Sequence, residues 1–362
     1  MKDAAAPITA AVSGALDACE AAEPTLNAFV EIPREQAAAE AARLDALAAA
    51  GASLGPLHGV PFCVKDIIDV AGLPTRNGSA TRADAAPEPR DATVVAKLRA
   101  AGAIPAAKVH TVEHAFGGWG TNAHTGAPRN PWKPEEPHTP GGSSNGTGVA
   151  VGAGLLPAGL GTDTGGSVRI PAAFCGCVGL KTSLGLVSRA GVTPLSDSFD
   201  SVGPLTDSVA RAAEMLDAMQ GRDPADPATL DAPRIDACAG LEKGAAGLRL
   251  GRVSDEALSA MTTEVREGFE AALRLLEEAG ARIEPFAPPR PFLAIQAEAS
   301  AIISSDAYAF HSALADDPAA PLNETTRMRM LPGRDLSARD RVLAQRRRRA
   351  DTADVLAAMD RL

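Results

Sequence analysis

Two serines of this chain each follow directly after a pair of glycines, and this feature most restricts how the chain can fold. They are Ser143 and Ser167, both within the segment 140–181. Because glycine lacks a Cβ atom, it adopts positive φ angles and lets other groups approach the backbone closely. A turn of this kind can present a serine hydroxyl in an unusual conformation. The two serines are therefore candidate nucleophilic groups.

Short apolar runs alternate with helical patterns along the 362 residues. The run 60–64 predicts a buried strand that ends at Lys65, although Pro61 argues against a central place in a sheet. Further strands are predicted at 103–109, 157–161, 248–253 and around Ile283, and helices at 35–50, 91–101 (capped by Asp91), 149–156, 207–219 and 265–280. This alternation predicts an α/β fold, a single large domain whose mixed β-sheet core is covered by helices on both faces.

Charge and hydropathy exclude several classes of protein. The net charge of −10 argues against a nucleic-acid-binding surface, which requires a basic face. One basic run, residues 346–349, is interpreted as a solvated helix face, with a contact to a nucleic acid or a partner as the alternative. No apolar run is long enough to span a membrane, and the amino terminus carries an early acid instead of a secretion signal. We therefore expect a cytoplasmic protein.

Neither cysteines nor histidines form a recognisable site. The five cysteines are scattered and odd in number, so no disulfide framework is predicted. Cys175 and Cys177 are interpreted as buried reduced thiols, and no metal site is expected. Of the six histidines, His114 and His124 lie in a loop, where they either touch a substrate or are ordinary loop residues.

A serine nucleophile needs a base, and Lys65 is the candidate. Burial disfavours the charged ammonium form and lowers the pKa of a lysine. A neutral Lys65 could take a proton from one serine, which in turn deprotonates the other. The alternative is a lysine at the end of a strand that pairs with Asp66 or Asp69.

The turn before Ser167 supplies consecutive backbone N–H groups. Those of Thr164, Gly165, Gly166 and Ser167 meet the requirement for an oxyanion hole, in which donors point at the charge that develops on a carbonyl oxygen. The alternative is a glycine-rich turn between a strand and a helix that has no catalytic role. Asp163 and Arg169 flank the turn, and an ion pair between them would hold its shape.

Taken together, these motifs resemble the amidase signature family. The matching segments are 59–66, Gly141-Gly142-Ser143-Ser144, 161–173, 175–181, 191–194 and 200–204, and the match is dense over residues 25–215. The resemblance implies that Ser167 is the acyl-forming nucleophile, Ser143 the bridging serine after a cis peptide bond, and Lys65 the base. It also implies that residues 1–362 form one amidase domain.

The resemblance further implies an amidohydrolase that cleaves a carboxamide C–N bond of a small molecule, without a metal or organic cofactor. Two alternatives stay open, namely the amidase subunit of a tRNA-dependent amidotransferase, and a truncated member without catalytic competence. The assemblies considered are a homodimer and a complex with a partner subunit, and the amidotransferase subunit requires the latter. Family members run longer than this chain, so we expect that its carboxyl-terminal portion is absent. Three positions depart mildly from the usual pattern of the family. Asn145 and Thr147 stand where small residues are usual, and Thr182 stands where a proline is often found.

The run 142–146 also matches the Gly-x-Ser-x-Gly nucleophile elbow of α/β-hydrolases. That interpretation would make Ser144 the nucleophile and would require a histidine later in the chain, for which only His311 is available.

The loop 113–132 contains Phe116, Trp119 and Trp132. We expect it to line the acyl pocket, with simple anchoring of the loop to the core as the alternative.

Overall fold

Six of the strands form one mixed sheet in the computed structural model, which describes residues 7–361. Most of the amino-terminal stretch considered for a secretion signal lies outside the described residues. The strands are β1 (Phe29–Glu31), β2 (Pro61–Lys65), β3 (Ile104–Val109), β4 (Ala158–Asp163), β5 (Val178–Gly179), β6 (Ser201–Thr206), β7 (Arg249–Arg252) and β8 (Arg282–Pro285). The sheet has the order β1-β3-β2-β4-β6-β5, in which β3, β2 and β4 are parallel and the other pairs are antiparallel.

Eleven helices pack on and beyond this sheet in the described part of the chain. They are α1 (Ile8–Leu26), α2 (Arg34–Ala49), α3 (Thr93–Ala100), α4 (Asn145–Gly152), α5 (Arg169–Cys175), α6 (Val209–Met219), α7 (Thr263–Glu278), α8 (Phe292–Ala315), α9 (Glu324–Met330), α10 (Pro332–Asp335) and α11 (Ala338–Met359). Each of these helices, judged by its length and polarity, is unsuited to crossing a membrane.

Side chains of the central strand β2 alternate between two apolar cores, as strand geometry requires. Phe62 and Val64 enter a core that also contains side chains of α3 and α6. Cys63 enters a second core on the opposite face, which is formed by α1, α2 and α4. The expected α/β domain, with a mixed sheet covered on both faces, is therefore confirmed. Pro61 is tolerated because it is the first residue of β2, where a missing N–H costs little.

One predicted helix cap is wrong. Helix α3 begins after Ala92, which has no side-chain cap, and Asp91 does not cap it. The Asp91 carboxylate instead accepts a hydrogen bond from the backbone N–H of Ala71, at 2.8 Å, and pairs with Arg99, at 2.9 Å. A distant backbone donor and an arginine inside the helix compete successfully for this carboxylate.

A separate unit forms near residues 248–286. Strands β7 and β8 were both predicted, but they pair only with each other, in parallel. Helix α7 connects them, and none of its side chains is buried in the described structure.

The basic run on α11 is partly engaged in packing. The Arg348 guanidinium lies 4.4 Å from the centre of the Phe199 ring and donates to the Ser198 carbonyl, at 2.7 Å. Arg347 pairs with Glu298, at 2.9 Å. At least these two arginines serve contacts within the chain, so the run is not simply a solvated face.

Candidate active site

The parallel strands β2 and β4 end at the same edge of the sheet, which brings their last residues together. Lys65 ends β2, and Asp163 ends β4. In a strand the side chains of alternate residues share a face, so Lys65 belongs to the face of Cys63, on which α4 packs. The segment that leads into α4 contains Ser143. Topology alone therefore brings the lysine to this serine.

Lys65 makes two side-chain hydrogen bonds at this edge. Its Nζ atom donates to Ser143 Oγ, at 2.7 Å, and to Thr162 Oγ1, at 2.8 Å. The side chain is fully buried. This burial lowers the pKa of Lys65 to about 7, although the charges of Asp200 and Asp163 oppose the shift. A substantial fraction of Lys65 is therefore neutral at neutral pH.

The alternative interpretation of Lys65 as a partner of Asp66 or Asp69 is not supported. Asp66 pairs with Lys108, whose Nζ lies 3.1 Å from Asp66 Oδ1 and donates to the Ile68 carbonyl at 2.7 Å. This second buried lysine comes from the neighbouring strand β3. Lys108 neutralises the charge of Asp66. Lys65 forms no ion pair with Asp66, Asp69 or any other carboxylate of the described residues.

The two adjacent serines at the start of α4 have different surroundings. The Gly142–Ser143 peptide bond is cis, as the resemblance implied. Ser144 Oγ donates to the Thr162 carbonyl and accepts from the Thr162 N–H, both at 3.3 Å. Gly161 makes this contact possible, because a Cβ there would lie 2.7 Å from Ser144 Oγ. Ser144 thus fastens α4 to β4.

Ser167 lies in the turn after β4 and is the most accessible of the three serines. Its exposed fraction is 8%, whereas Ser143 and Ser144 are fully buried. The carbonyl of Ser167 accepts a hydrogen bond from the Ser144 N–H, at 3.2 Å. Its hydroxyl makes no hydrogen bond within the described residues. The structure therefore joins Lys65 to Ser143, and places Ser167 beside them without a hydroxyl-to-hydroxyl contact.

One member of the predicted oxyanion hole has another partner. The Gly166 N–H donates to Asp163 Oδ1, at 2.8 Å, so this donor is already engaged within the chain. The N–H groups of Thr164, Gly165 and Ser167 have no partner in the part of the chain that the structure describes. The predicted set is thereby reduced from four donors to three.

Asp163 holds the shape of this turn. It forms a bidentate ion pair with Arg169, with both N–O distances at 3.0 Å, and also accepts from the N–H groups of Gly166 and Val168. Burial alone would raise the pKa of Asp163, but the hydrogen bonds and charge of Arg169, together with the N–H donors, lower it. The carboxylate is therefore ionised at neutral pH.

We expect that Asp163→Asn lowers the free energy of unfolding by about 2 kcal/mol, since a buried carboxylate with several donors is lost while Arg169 keeps access to water. Urea denaturation measures this change. Asp197→Asn is the matched control, because Asp197 is 70% exposed and lies 3.8 Å from Arg189, so we expect a change below about 0.5 kcal/mol. Equal effects of the two substitutions would contradict the role given to Asp163.

A cavity of about 470 Å³ opens beside the turn. Thr162, Thr164 and Asp200 line one side of it, and Ala115 and Phe310 line another. Phe116 and Trp119, which were expected to line the acyl pocket, are not part of its wall. Phe116 packs partly buried against the core, and Trp119 is 65% exposed and borders a different cavity near Pro140.

Anchoring of the loop to the core is seen at Trp132. Its Nε1 atom donates to the Cys175 carbonyl, at 3.0 Å. Cys175 is buried and Cys177 is half-buried, and both are free thiols, in line with the interpretation as reduced cysteines. At Trp132, therefore, one hydrogen bond anchors the loop, while the side chain itself is 72% exposed.

The two loop histidines lie away from the cavity wall. His114 is buried against His311, with ring centres 4.6 Å apart, and burial lowers its pKa to about 3, so its ring is neutral. His124 contacts Glu113, at 3.2 Å. His311 contacts the Pro194 carbonyl, at 2.9 Å, and has no hydrogen bond to Ser144. The arrangement that an α/β-hydrolase requires is therefore not formed.

Sequence reasoning missed two residues of the site. Thr162 accepts a hydrogen bond from Lys65, and Asp200 accepts one from the Thr164 hydroxyl and two from the N–H groups of Leu195 and Ser196. Both lie in segments that carried the family resemblance, but no chemical pattern marked them. A single threonine or aspartate acquires such a role only through its position in the fold.

The chain is similar in sequence and in structure to known proteins. A sequence profile of the Amidase family matches residues 10–361. One subunit of the glutamyl-tRNA(Gln) amidotransferase of Thermosynechococcus vestitus is 41% identical over 275 residues, which cover 76% of this chain and 56% of that protein. The chain thus spans little more than half the length of such relatives.

Solved structures are similar over nearly the whole chain. One, described as a vestigial protein complex that reveals the evolutionary origins of an s-triazine catabolic enzyme, has a TM-score of 0.90 at 34% identity and covers 98% of this chain and 76% of that chain. The native peptide amidase from Stenotrophomonas maltophilia has a TM-score of 0.81 at 32% identity, over 94% and 75% of the two chains.

Proposed function

This chain belongs to the amidase signature family, and we propose that it hydrolyses a carboxamide C–N bond through an acyl-enzyme on Ser167. The observation that carries the proposal is the 2.7 Å contact between Lys65 Nζ and Ser143 Oγ, in a fully buried place where the pKa of the lysine falls to about 7. A lysine that is partly neutral at the working pH can act as a general base.

The reaction begins as Ser167 Oγ attacks the carbonyl carbon. Its proton passes to Ser143, whose own proton passes to the lone pair of neutral Lys65. For this transfer the Ser167 side chain turns toward Ser143, which it can do because its hydroxyl has no partner among the described residues. The N–H groups of Thr164, Gly165 and Ser167 stabilise the negative charge that forms on the carbonyl oxygen.

Collapse of this intermediate breaks the C–N bond. The proton held by Lys65 returns through Ser143 to the leaving nitrogen, so ammonia or an amine departs in neutral form. Water then attacks the acyl carbon, and its proton passes through Ser143 to Lys65. Collapse of this second intermediate breaks the ester bond to Ser167 Oγ, which takes the proton back as the carboxylic acid leaves. The cavity beside Thr162 and Thr164 is the proposed site of the acyl part of the substrate.

A fluorophosphonate probe tests the proposal. We expect intact-mass analysis of the labelled wild-type chain to show one adduct, and peptide mapping to place it on Ser167. An adduct on Ser144 would favour the α/β-hydrolase mechanism. Complete absence of an adduct, on a chain whose circular dichroism shows it folded, would support the alternative of a member without catalytic competence.

A second candidate function is the amidase subunit of a tRNA-dependent amidotransferase, which the amidotransferase subunits among the relatives favour. Such a subunit passes ammonia to a partner. Release of ammonia from glutamine that depends on a co-purifying protein would support it, and amide hydrolysis by the isolated chain would favour the first function. The homodimer, the cytoplasmic location and the assignment of residues 1–362 to one amidase domain stay predictions.

A further inference from the structure

An irregular segment, residues 194–200, leads into β6 and forms part of the wall of the cavity beside Thr164. Its last residue, Asp200, accepts hydrogen bonds from the N–H groups of Leu195 and Ser196, both at 2.8 Å, through one carboxylate oxygen. The other oxygen accepts a hydrogen bond from the Thr164 hydroxyl. The conformation of the segment therefore decides where the charge of Asp200 lies.

Asp306, on α8, holds this segment but is not part of the cavity wall. Its Oδ2 atom accepts hydrogen bonds from the Ser196 hydroxyl, at 2.6 Å, and from the Ser198 N–H, at 3.2 Å. Its Oδ1 atom accepts a hydrogen bond from Arg341 of α11. Burial alone would raise the pKa of Asp306, but the hydrogen bonds from Ser196, Arg341 and Ser198 lower it. A buried, ionised carboxylate thus joins two helices to the segment.

Further contacts from the same two helices hold the segment. Gln345 of α11 donates to Ser198 Oγ, at 2.7 Å, and Arg348 donates to the Ser198 carbonyl. On α8, His311 contacts the Pro194 carbonyl. A segment without helix or strand keeps one conformation only where its contacts offset the conformational entropy that it loses. The carboxylate on α8 is central among these contacts, because one of its oxygens holds two residues of the segment.

Asp200 connects the segment with the proton relay. Burial lowers the pKa of Lys65, and the charge of Asp200 opposes this shift. Two further charged or titratable groups face Asp200, namely Arg189 and His311 of α8. A Coulomb interaction weakens with distance, so a displacement of Asp200 changes the proton affinity of Lys65.

We propose that Asp306 is a positioning residue of the active site, which keeps residues 194–200 in the conformation where Asp200 contacts Thr164 and acts on Lys65. The inference rests on the proposed amide hydrolysis and deepens it by naming a residue outside the cavity on which the relay depends. Asp306 forms no hydrogen bond or ion pair with Lys65 in the described structure. Its effect on the lysine is therefore indirect, and it disappears when Asp200 carries no charge.

A double-mutant cycle tests the proposal through the pH inflection of kcat/KM. We expect Asp306→Ala to lower kcat/KM by roughly 10-fold and to move the inflection to lower pH by about 0.5 unit, the direction expected for Asp200→Asn. In the Asp200→Asn background, the same substitution is expected to cause no further shift. A direct effect of the Asp306 charge on Lys65 would instead add to the effect of Asp200→Asn.

Ser196→Ala loosens the same attachment while every charge is retained. The Ser196 N–H can still donate to Asp200, so we expect a smaller shift of the inflection in the same direction. This variant decides the matter if Asp306→Ala fails to fold. Glu298→Gln is the matched control, because Glu298 also lies on α8 and pairs with Arg347 of α11 but makes no hydrogen bond to residues 194–200 in the described structure. We expect its inflection to equal that of the wild type.

Nuclear magnetic resonance titration of ¹³C-labelled lysine side chains measures the pKa of Lys65 without turnover, and Lys65→Ala assigns its signal. A lowered pKa in Asp306→Ala, in a chain that hydrolyses no amide, would refute the proposed hydrolysis alone. The positioning role is overturned if Asp306→Ala and Ser196→Ala leave the pKa unchanged, or if Glu298→Gln lowers it equally. A shift that persists undiminished in the Asp200→Asn background overturns it as well.

Discussion

Replacing Ser167 by alanine is expected to lower kcat for amide hydrolysis by about 10⁵-fold and to abolish labelling by a fluorophosphonate. No acyl-enzyme can form without this hydroxyl, and the residual rate would come from substrate binding and the backbone donors of the turn. Ammonia release under single-turnover conditions measures the effect. The substitution removes a hydroxyl without a partner among the described residues, so we expect the thermal unfolding midpoint to change little.

Ser144→Ala is the control for this experiment. Its hydroxyl is buried and exchanges two hydrogen bonds with the Thr162 backbone, so its loss is expected to cost about 1–2 kcal/mol of unfolding free energy. Labelling and hydrolysis should persist, within about 10-fold of the wild-type rate. If Ser144→Ala instead removed the adduct and Ser167→Ala retained it, the nucleophile would have to be reassigned.

The sheet could be predicted from sequence because local and global preferences agree in its central strands. Residues 61–65 are apolar up to the lysine, and each of their faces meets a separate core, so a continuous buried strand satisfies them. The meeting of Lys65 with Ser143 follows from the same strand, since the period of two assigns Lys65 to the face covered by α4.

Details that depend on competition between partners could not be predicted. The Gly166 N–H seemed as suitable for an oxyanion as its neighbours, but Asp163 comes within 2.8 Å of it once the turn closes. Asp91 had the right position for a helix cap, and a backbone N–H twenty residues earlier in the chain took its carboxylate instead. Such choices depend on distances of a few ångströms that are set only when the chain folds.

The aromatic residues of the loop 113–132 show a second reason why pocket residues could not be predicted from the sequence. The aromatic content of the loop that contains Phe116, Trp119 and Trp132 predicts that it lines the acyl pocket, but the fold separates the three side chains. Trp132 bonds to the Cys175 carbonyl, Phe116 packs on the core, and Trp119 is largely exposed. A cluster in sequence becomes a cluster in space only where the backbone is regular, and residues 117–140 form an irregular loop without helix or strand.

The activity of the wild-type chain is expected to rise with pH through a single inflection near pH 7. Lys65 must be neutral to accept a proton, and burial lowers its pKa to about 7, so the active form is depleted below this pH and dominates above it. We expect log kcat/KM to increase with unit slope at low pH and to level off above about pH 8.5. Lys65→Ala is expected to lower the plateau by about 10³- to 10⁴-fold and to remove the inflection.

Asp200→Asn provides the decisive comparison for this assignment. The charge of Asp200 favours the protonated form of Lys65, so its removal is expected to lower the pKa of the lysine and to move the inflection to lower pH. A general disturbance of the site would lower the plateau without this shift. An inflection that stays in place in Asp200→Asn, or that persists in Lys65→Ala, would mean that a group other than Lys65 titrates, and the proton relay would need another base.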